Sequence, residues 1–160
     1  MSDQPPTANA GAPQAGQVPL VVKAQYIKDL SFENPRAPAS FQTMQGPPAI
    51  DVTVNVGAQH LREQDYEVTL VISVSAKMDN EPLFMVELNY CGIVTLGQVP
   101  AEHMRPLLLI EGPRLLFPFA RNIVADATRE GGFPPLLLQP IDFVELYRRE
   151  VAQQQQTRPV

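Results

Sequence analysis

The chain has 160 residues, enough for one domain with a sizeable core of its own. Apolar residues make up 44%, which argues against wholesale disorder. The net charge of −5 carries no clusters of Lys or Arg, which speaks against a nucleic-acid or anionic-membrane surface, because phosphate binding needs concentrated cations. Cys91 is the only cysteine, so no intrachain disulfide and no Cys-based zinc site can form. His60 and His103 stand apart, without metal-ligand spacing.

Residues 1–17 are Pro, Ala, Gly, Gln and Asn with almost no large side chain. They cannot bury enough surface to offset chain entropy and are expected to form a disordered arm. The segment has no basic n-region and no apolar h-region, so it does not read as a secretory signal. Oily runs such as Leu107 to Ile110 are far shorter than the ~20 residues of a membrane span. The expectation is a soluble, cytoplasmic chain with no direct membrane insertion.

Four strand signals come first. From Val18 to Phe32, Val22, Ala24 and Tyr26 alternate, the phase slips at Ile27, and Leu30 and Phe32 resume it; a bulge or bend explains the slip. "FENPRAPASF" then reads as an irregular crossover. Ile50, Val52, Val54 and Val56 alternate with Asp51, Thr53 and Asn55, the pattern of a strand with one buried face. A longer strand puts Tyr66, Val68, Leu70, Ile72, Val74 and Ala76 on one side. "MDNE" makes a short turn into a fourth strand, where Phe84, Val86, Leu88 and Tyr90 oppose Met85, Glu87 and Asn89. Short connections between alternating strands imply antiparallel pairing, with one oily and one wetter face.

After Gly97 the period lengthens. "PAEHMRPLLLIEG" predicts a short helix and "GPRLLFPFARNIVADATREGG" a longer one, with Leu116, Ala120, Ile123 and Ala127 at helical spacing. Gly112-Pro113 suits its start, Gly131-Gly132 its stop, and Pro118 kinks it or marks its true beginning. A final helix follows from "PIDFVELYRREVAQQQQ", with Ile141, Val144 and Tyr147 on one side and a polar end that frays. Strands first and helices afterwards predict an α+β fold, a four-stranded antiparallel sheet with helices packed on one face.

Little of the sequence carries chemistry. "GIVTLG" lacks the Lys of a phosphate loop, no Gly-x-Ser-x-Gly elbow exists, and neither histidine has a nucleophile beside it. Cys91 reads as a small packed residue, and Asp29 and Glu33 as solvated acids near a strand end. The residues therefore disfavour an enzyme. What stands out is surplus apolar surface in prolyl loops, above all "GGFPPLLLQPIDF" at 131–143. Its side chains either turn inward as a core lid or stay outside as a groove for other chains.

"YIKDLSFENPRAP", "YEVTLVISVSA", "LLFPFAR" and "GGFPPLLLQPIDFVELY", in this order, resemble the SecB family of bacterial protein-export chaperones, from about Tyr26 to Tyr147. The resemblance implies a SecB-like domain over 18–150 and a flexible polar tail over 151–160. It implies subunits that assemble as a homotetramer, a dimer of dimers. It also implies ATP-independent, cofactor-free holding of unfolded preproteins in apolar grooves, and their delivery to the SecA motor. By position, the SecA-docking residues are Asp29, Glu33, Met85 and Glu87. The groove residues are Ile50, Val52, Val54, Phe143 and Tyr147. Val86, Leu88 and Tyr90 match positions affecting assembly. Phe133 and Leu136 join the groove on composition alone. The chain departs from the family at Tyr90-Cys91-Gly92, where polar residues and a Gly-Gly pair are expected, and in a tail without acidic character. The rival expectation is a hotdog-like enzyme or small-ligand-binding oligomer, in which a sheet wraps a long helix.

Overall fold

The computed structural model describes residues 19–158; the arm expected over 1–17 lies outside them. Four strands, β1 (Leu20–Glu33), β2 (Ala49–Arg62), β3 (Asp65–Met78) and β4 (Glu81–Leu96), form one antiparallel sheet in the order β1-β4-β3-β2. The expected α+β architecture is present, with helices on one face only. β3 and β4 are central, and their alternation sorts side chains as the sequence predicts. Val68, Leu70, Ile72, Val74, Phe84, Val86 and Leu88 are core, whereas Met85 and Glu87 face solvent. "MDNE" closes the β3–β4 hairpin with Asp79 and Asn80 both at positive φ, as a tight two-residue hairpin turn requires.

β1 departs from the expected phase twice. The slip at Ile27 is a register shift between Ile27 and Asp29, and a second shift falls between Val22 and Ala24. Because a one-residue slip reverses every side chain, Val22 lies with Leu30 and Phe32 on the helix side, while Ala24 and Tyr26 turn to the open side.

Short helix α1 (Ala39–Thr43) interrupts the crossover that the sequence left irregular. The largest correction concerns the helices after β4. Helix α2 (Ala101–Pro106), a π-turn (Leu107–Glu111) and helix α3 (Gly112–Glu130) run on as one continuous rod, so Gly112-Pro113 begins nothing. Pro113 has no N–H and crowds the carbonyl one turn earlier; the widened π-turn absorbs that local defect instead of breaking the rod. The buried face of α3 is Leu116, Ala120, Val124 and Thr128, with Ile123 and Ala127 half-buried beside it.

The end of α3 explains Gly131-Gly132. Phe133 N–H donates to Thr128 O and Gly132 N–H to Arg129 O, with Gly132 at φ +91°, the hydrogen-bond pattern of a Schellman cap. The first glycine is demanded by contact. A Cβ on Gly131 would collide with the ring of Phe32, which stacks on Phe84, and one on Gly132 would lie 2.9 Å from Phe41 Cζ. Beyond the cap the prolyl segment is strapped to α3 from both sides. Leu136 N–H donates to Thr128 Oγ1 at 2.9 Å, and Arg121 Nε–H donates to Leu138 O at 2.8 Å. Asp142 then caps helix α4 (Phe143–Gln156) by accepting from Glu145 N–H. α4 continues through the glutamines to Gln156, so residues 151–156 of the expected flexible tail are helical.

Gly131→Ala separates two effects of opposite sign. Helix propensity alone would reward alanine by up to ~1 kcal/mol. Overpacking against Phe32 should cost about 1–3 kcal/mol. A lowered midpoint in thermal unfolding is expected; a raised one would show that the Phe32 contact does not constrain this turn.

Candidate functional site

The sheet's two faces carry two different surfaces. On the helix side, β2 is an edge strand that the rod covers only in part. Its apolar residues pair with the core in register: Ile50 with Ala76, Val52 with Val74, Val54 with Ile72, Val56 with Leu70. Yet Ile50 and Val52 remain exposed, and Val54 and Val56 half-buried, so the one-face-buried expectation is only half met. Alternation reports which face a residue occupies; coverage depends on a helix that does not reach the edge.

Between β2 and α4 lies a cavity of about 390 Å³ lined by Val54, Val56 and Leu146, with Arg149, Glu150 and Gln153 on its rim. A second, of about 440 Å³, shares Val56 and Glu150 and runs on past Ala58 and His60 to Met104 and Leu108. Together they form a trough along the edge strand. Its lining mixes apolar side chains with polar ones, Asn55, Arg149 and Gln153 among them, and Arg105 meets Glu150 there at 3.7 Å.

Of the expected groove residues, Val54 lines this trough and Ile50 and Val52 extend its apolar strand beyond it. Four others need correction or refinement. Phe133 is buried between Phe84 and Phe41, at centroid distances of 4.7 and 5.3 Å, and Phe143 packs edge-on against Phe117. Both are core residues, because the strapped segment turns them inward. Leu136 is half-buried against the core, and Tyr147 is half-buried on α4 without lining the cavities, whereas its neighbour Leu146 does. The prolyl loop is thus mainly a lid over the core. Leu138 is buried, and of the three leucines only Leu137, at 58% exposure, is fully outside. Sequence reasoning missed Val56, Met104 and Leu146. Val56 carried a signal in its alternation; Met104 and Leu146 come in from distant helices and carried none.

Val86, Leu88 and Tyr90, expected to affect assembly, are buried beneath this chain's own helices and cannot touch a partner directly. Leu88 and Tyr90 are cross-strand partners of Leu30 and Ile27 on β1, which are exposed. Any influence on assembly must pass through that backing.

The open face holds the other set. Cross-strand rows read Glu33–Met85–Ser75–Asp51, Ser31–Glu87–Ser73–Thr53 and Asp29–Asn89–Val71–Asn55. Asp29, Glu33, Met85 and Glu87 therefore gather at one end of one face, and all four are exposed. A cavity of about 270 Å³ opens there, with Glu33, Met85 and Glu87 in its lining.

The other half of the open face closes on itself. Lys23 Nζ meets Asp65 Oδ2 at 2.9 Å, and Lys28 Nζ meets Glu67 Oε1 at 2.9 Å. Thr95 donates to Asp65 at 2.6 Å, and Tyr26 donates to Glu67. These contacts hold both carboxyls below the usual range: for Asp65 the Thr95 hydroxyl first and Lys23 second, for Glu67 the Tyr26 hydroxyl first and Lys28 second. Burial, reinforced by Glu67, pushes the Tyr26 hydroxyl up. Cys91 lies between Tyr26 and Thr69, and burial pushes its thiol up. Among the described residues no group of three or more His, Cys, Asp or Glu is arranged to hold a metal, and no helix is long and apolar enough to cross a membrane.

The fold is shared with a chaperone. It superposes on the SecB-like chaperone of Mycobacterium tuberculosis, solved in complex with a ChAD peptide from an antitoxin, with a TM-score of 0.64. That match covers 76% of this chain and 90% of the other at 15% identity, a likeness of fold alone. Sequence carries the assignment further. The family model described as preprotein translocase subunit SecB matches residues 13–154. The protein-export protein SecB of Rhodopseudomonas palustris strain BisB5 is 53% identical over 149 residues, 92% of this chain and 94% of that one. The protein of the same name from Rhodospirillum centenum is 55% identical over 139 residues, 86% and 83% of the two chains. The chain belongs to the SecB family, and its function is that of a protein-export chaperone.

Depressed carboxyl pKa values favour the folded state above the unfolded pKa, and that contribution disappears as pH falls through the folded value. Stability should therefore drop as pH falls below the ordinary carboxylate range, near ~4. Glu67→Gln should flatten that drop in chemical denaturation series; an unchanged slope would mean that Glu67 is not depressed in the folded chain.

Proposed function

We propose that this chain is an ATP-independent holdase that keeps preproteins unfolded by binding them along β2 and α4, and that it hands them to SecA through the acidic end of the open face. The carrying observation is the trough, in which Val54, Val56, Leu146, Met104 and Leu108 come together along an edge strand, beside Ile50 and Val52 standing exposed. Each contact removes apolar surface from water at roughly 25 cal/mol per Å². Shallow subsites hold weakly one by one, and several on one assembly multiply into useful avidity. Selectivity is then kinetic, since only slowly folding clients expose such segments for long.

The working unit is a homotetramer, a dimer of dimers. Exposed Ile27 and Leu30 on β1, and Leu115 and Phe119 on α3, support it, because they are large apolar groups left uncovered on the described subunit. The protein acts in the cytoplasm and needs no catalytic step and no cofactor. Binding alone suffices, and release is driven by the motor. Asp29, Glu33, Met85 and Glu87 form the docking surface, supported by their common face. In the client groove, Ile50, Val52 and Val54 act together with Leu146, while Phe133, Phe143 and Leu136 hold the wall from behind.

The chaperone assignment is tested by mixing the full protein with a chemically unfolded, aggregation-prone client at one tetramer per client. Suppressed light scattering is expected; aggregation at the control rate would sink the holdase role. Native mass measurement should return four copies, and a stable monomer would overturn the assembly.

Substitutions divide the two surfaces. Glu87→Lys should weaken SecA binding and leave client holding intact. Val52→Ala with Leu146→Ala should weaken client holding, with SecA binding unchanged. The assignment of faces fails if either variant impairs both activities equally.

A further inference from the structure

On the open face, charge is distributed unevenly between the two ends. At the end holding Lys23 and Lys28, each carboxylate has a cation or hydroxyl of its own chain against it. At the other end, Asp29, Glu33, Glu87 and Asp51 make no ion pair among the described residues. Residues 1–18 contain no Lys or Arg that could supply one. Lys77, two residues beyond Ser75 on β3, is exposed and pairs with no carboxylate either.

Asp51 belongs to β2, the strand otherwise devoted to the trough, but its side of the strand is the open one. It ends the cross-strand row Glu33–Met85–Ser75–Asp51. Ser73 and Ser75 between the acids are short, so the 270 Å³ cavity lies over them with Glu33 and Glu87 to one side and Asp51 to the other. Three strand spacings place Glu33 and Asp51 roughly 14 Å apart. A cation held over the two serines would sit within about one Debye length, ~8–10 Å, of all three carboxylates. Met85 offers the apolar contact beside it, at 38% exposure.

We propose that Asp51 extends the docking surface across the whole sheet, so that SecA presents a basic side chain over Ser73 and Ser75, held between Glu33 and Glu87 on one flank and Asp51 on the other. The inference rests on the SecA-docking role proposed above and adds to it a residue on a third strand. It follows that motor and client meet opposite sides of the same strand. Asp51 faces the motor, while its neighbours Ile50 and Val52 face the client. Charge complementarity favours this occupant, since an unpaired acidic face steers a basic partner and rejects an acidic one.

Full-length Asp51→Asn is titrated with purified SecA at low and physiological salt, beside Gln59→Lys. Gln59 shares the open face at the self-compensated end, and its variant changes net charge by the same single unit. Asp51→Asn should weaken binding about two- to fivefold at low salt, less at physiological salt, with client holding unchanged. Gln59→Lys should leave binding unchanged. Equal weakening by both variants would reduce the effect to net charge and overturn the proposal. If Glu87→Lys loses binding while Asp51→Asn retains it fully, the docking surface stands and its extension to β2 falls. A wild-type protein that does not bind SecA would remove the docking role itself.

Discussion

The chain has helices for one face of its sheet only. Residues 101–130 form a single rod, and one rod lying across four strands buries the two central ones, β3 and β4, far better than either edge. Both surfaces follow from that shortage of cover. On the helix side, β2 keeps apolar residues half-wet along its length, with α4 standing off to leave a trough. On the far side nothing in the described chain covers the sheet, so hydroxyls and acids occupy it. A second layer of helix would have made a more stable subunit with neither surface.

The continuity of the rod depends on a local compromise. Pro113 would ordinarily stop a helix, and the π-turn before it absorbs the missing N–H and the crowded carbonyl. The other end is fixed by aromatic contact. Phe32 from β1 and Phe41 from α1 close on Gly131 and Gly132, and Phe84 and Phe133 stack beneath them. The strap that follows can be rich in proline because it needs few donors of its own. The donors come from Arg121 on α3 and from Leu136, the first residue after the proline pair with an N–H to give.

Much of this was legible in the residues. β3 and β4 alternate cleanly along most of their length, with one register shift between Ala76 and Lys77 near the hairpin, and "MDNE" carries the residues that tolerate positive φ. The bulge near Ile27 showed itself as a broken phase, whereas the one at Lys23 did not, since Val22, Ala24 and Tyr26 mimic unbroken alternation. The rod was misread as two helices because Gly-Pro is a strong local boundary signal that packing overrode. At the acidic end of the open face, alternation alone put Met85 and Glu87 on the wetter side of β4; Asp29 and Glu33 were joined to them by the family resemblance, and the strand register brings all four onto one face. The trough was not, because Met104 and Leu146 reach it from segments whose placement is a matter of tertiary packing. The oily loop at 131–143 was the hardest case: its composition fits both a lid and a groove. The straps on Thr128 and Arg121 decide for the lid, with Leu137 left outside.

The two halves of the open face show why composition alone could not have located its uncompensated acids. Lys28, Glu67, Asp29 and Glu87 are all charged residues on strands, and by count they look alike. Register separates them. Tyr26 donates to Glu67, whose carboxylate meets Lys28 beside the buried thiol of Cys91; this end therefore presents a nearly neutral lattice to solvent. Three cross-strand rows away, the same spacing sets carboxylates beside serine, asparagine and methionine, none of which can neutralise them. An exposed acid left unpaired costs little in water, so stability does not select against it. What it provides is a local field that a basic partner can complete, and a surface whose strength falls with salt. On the reading proposed above, the client side would bind through apolar contacts that salt does not screen, and the motor side through charges that it does.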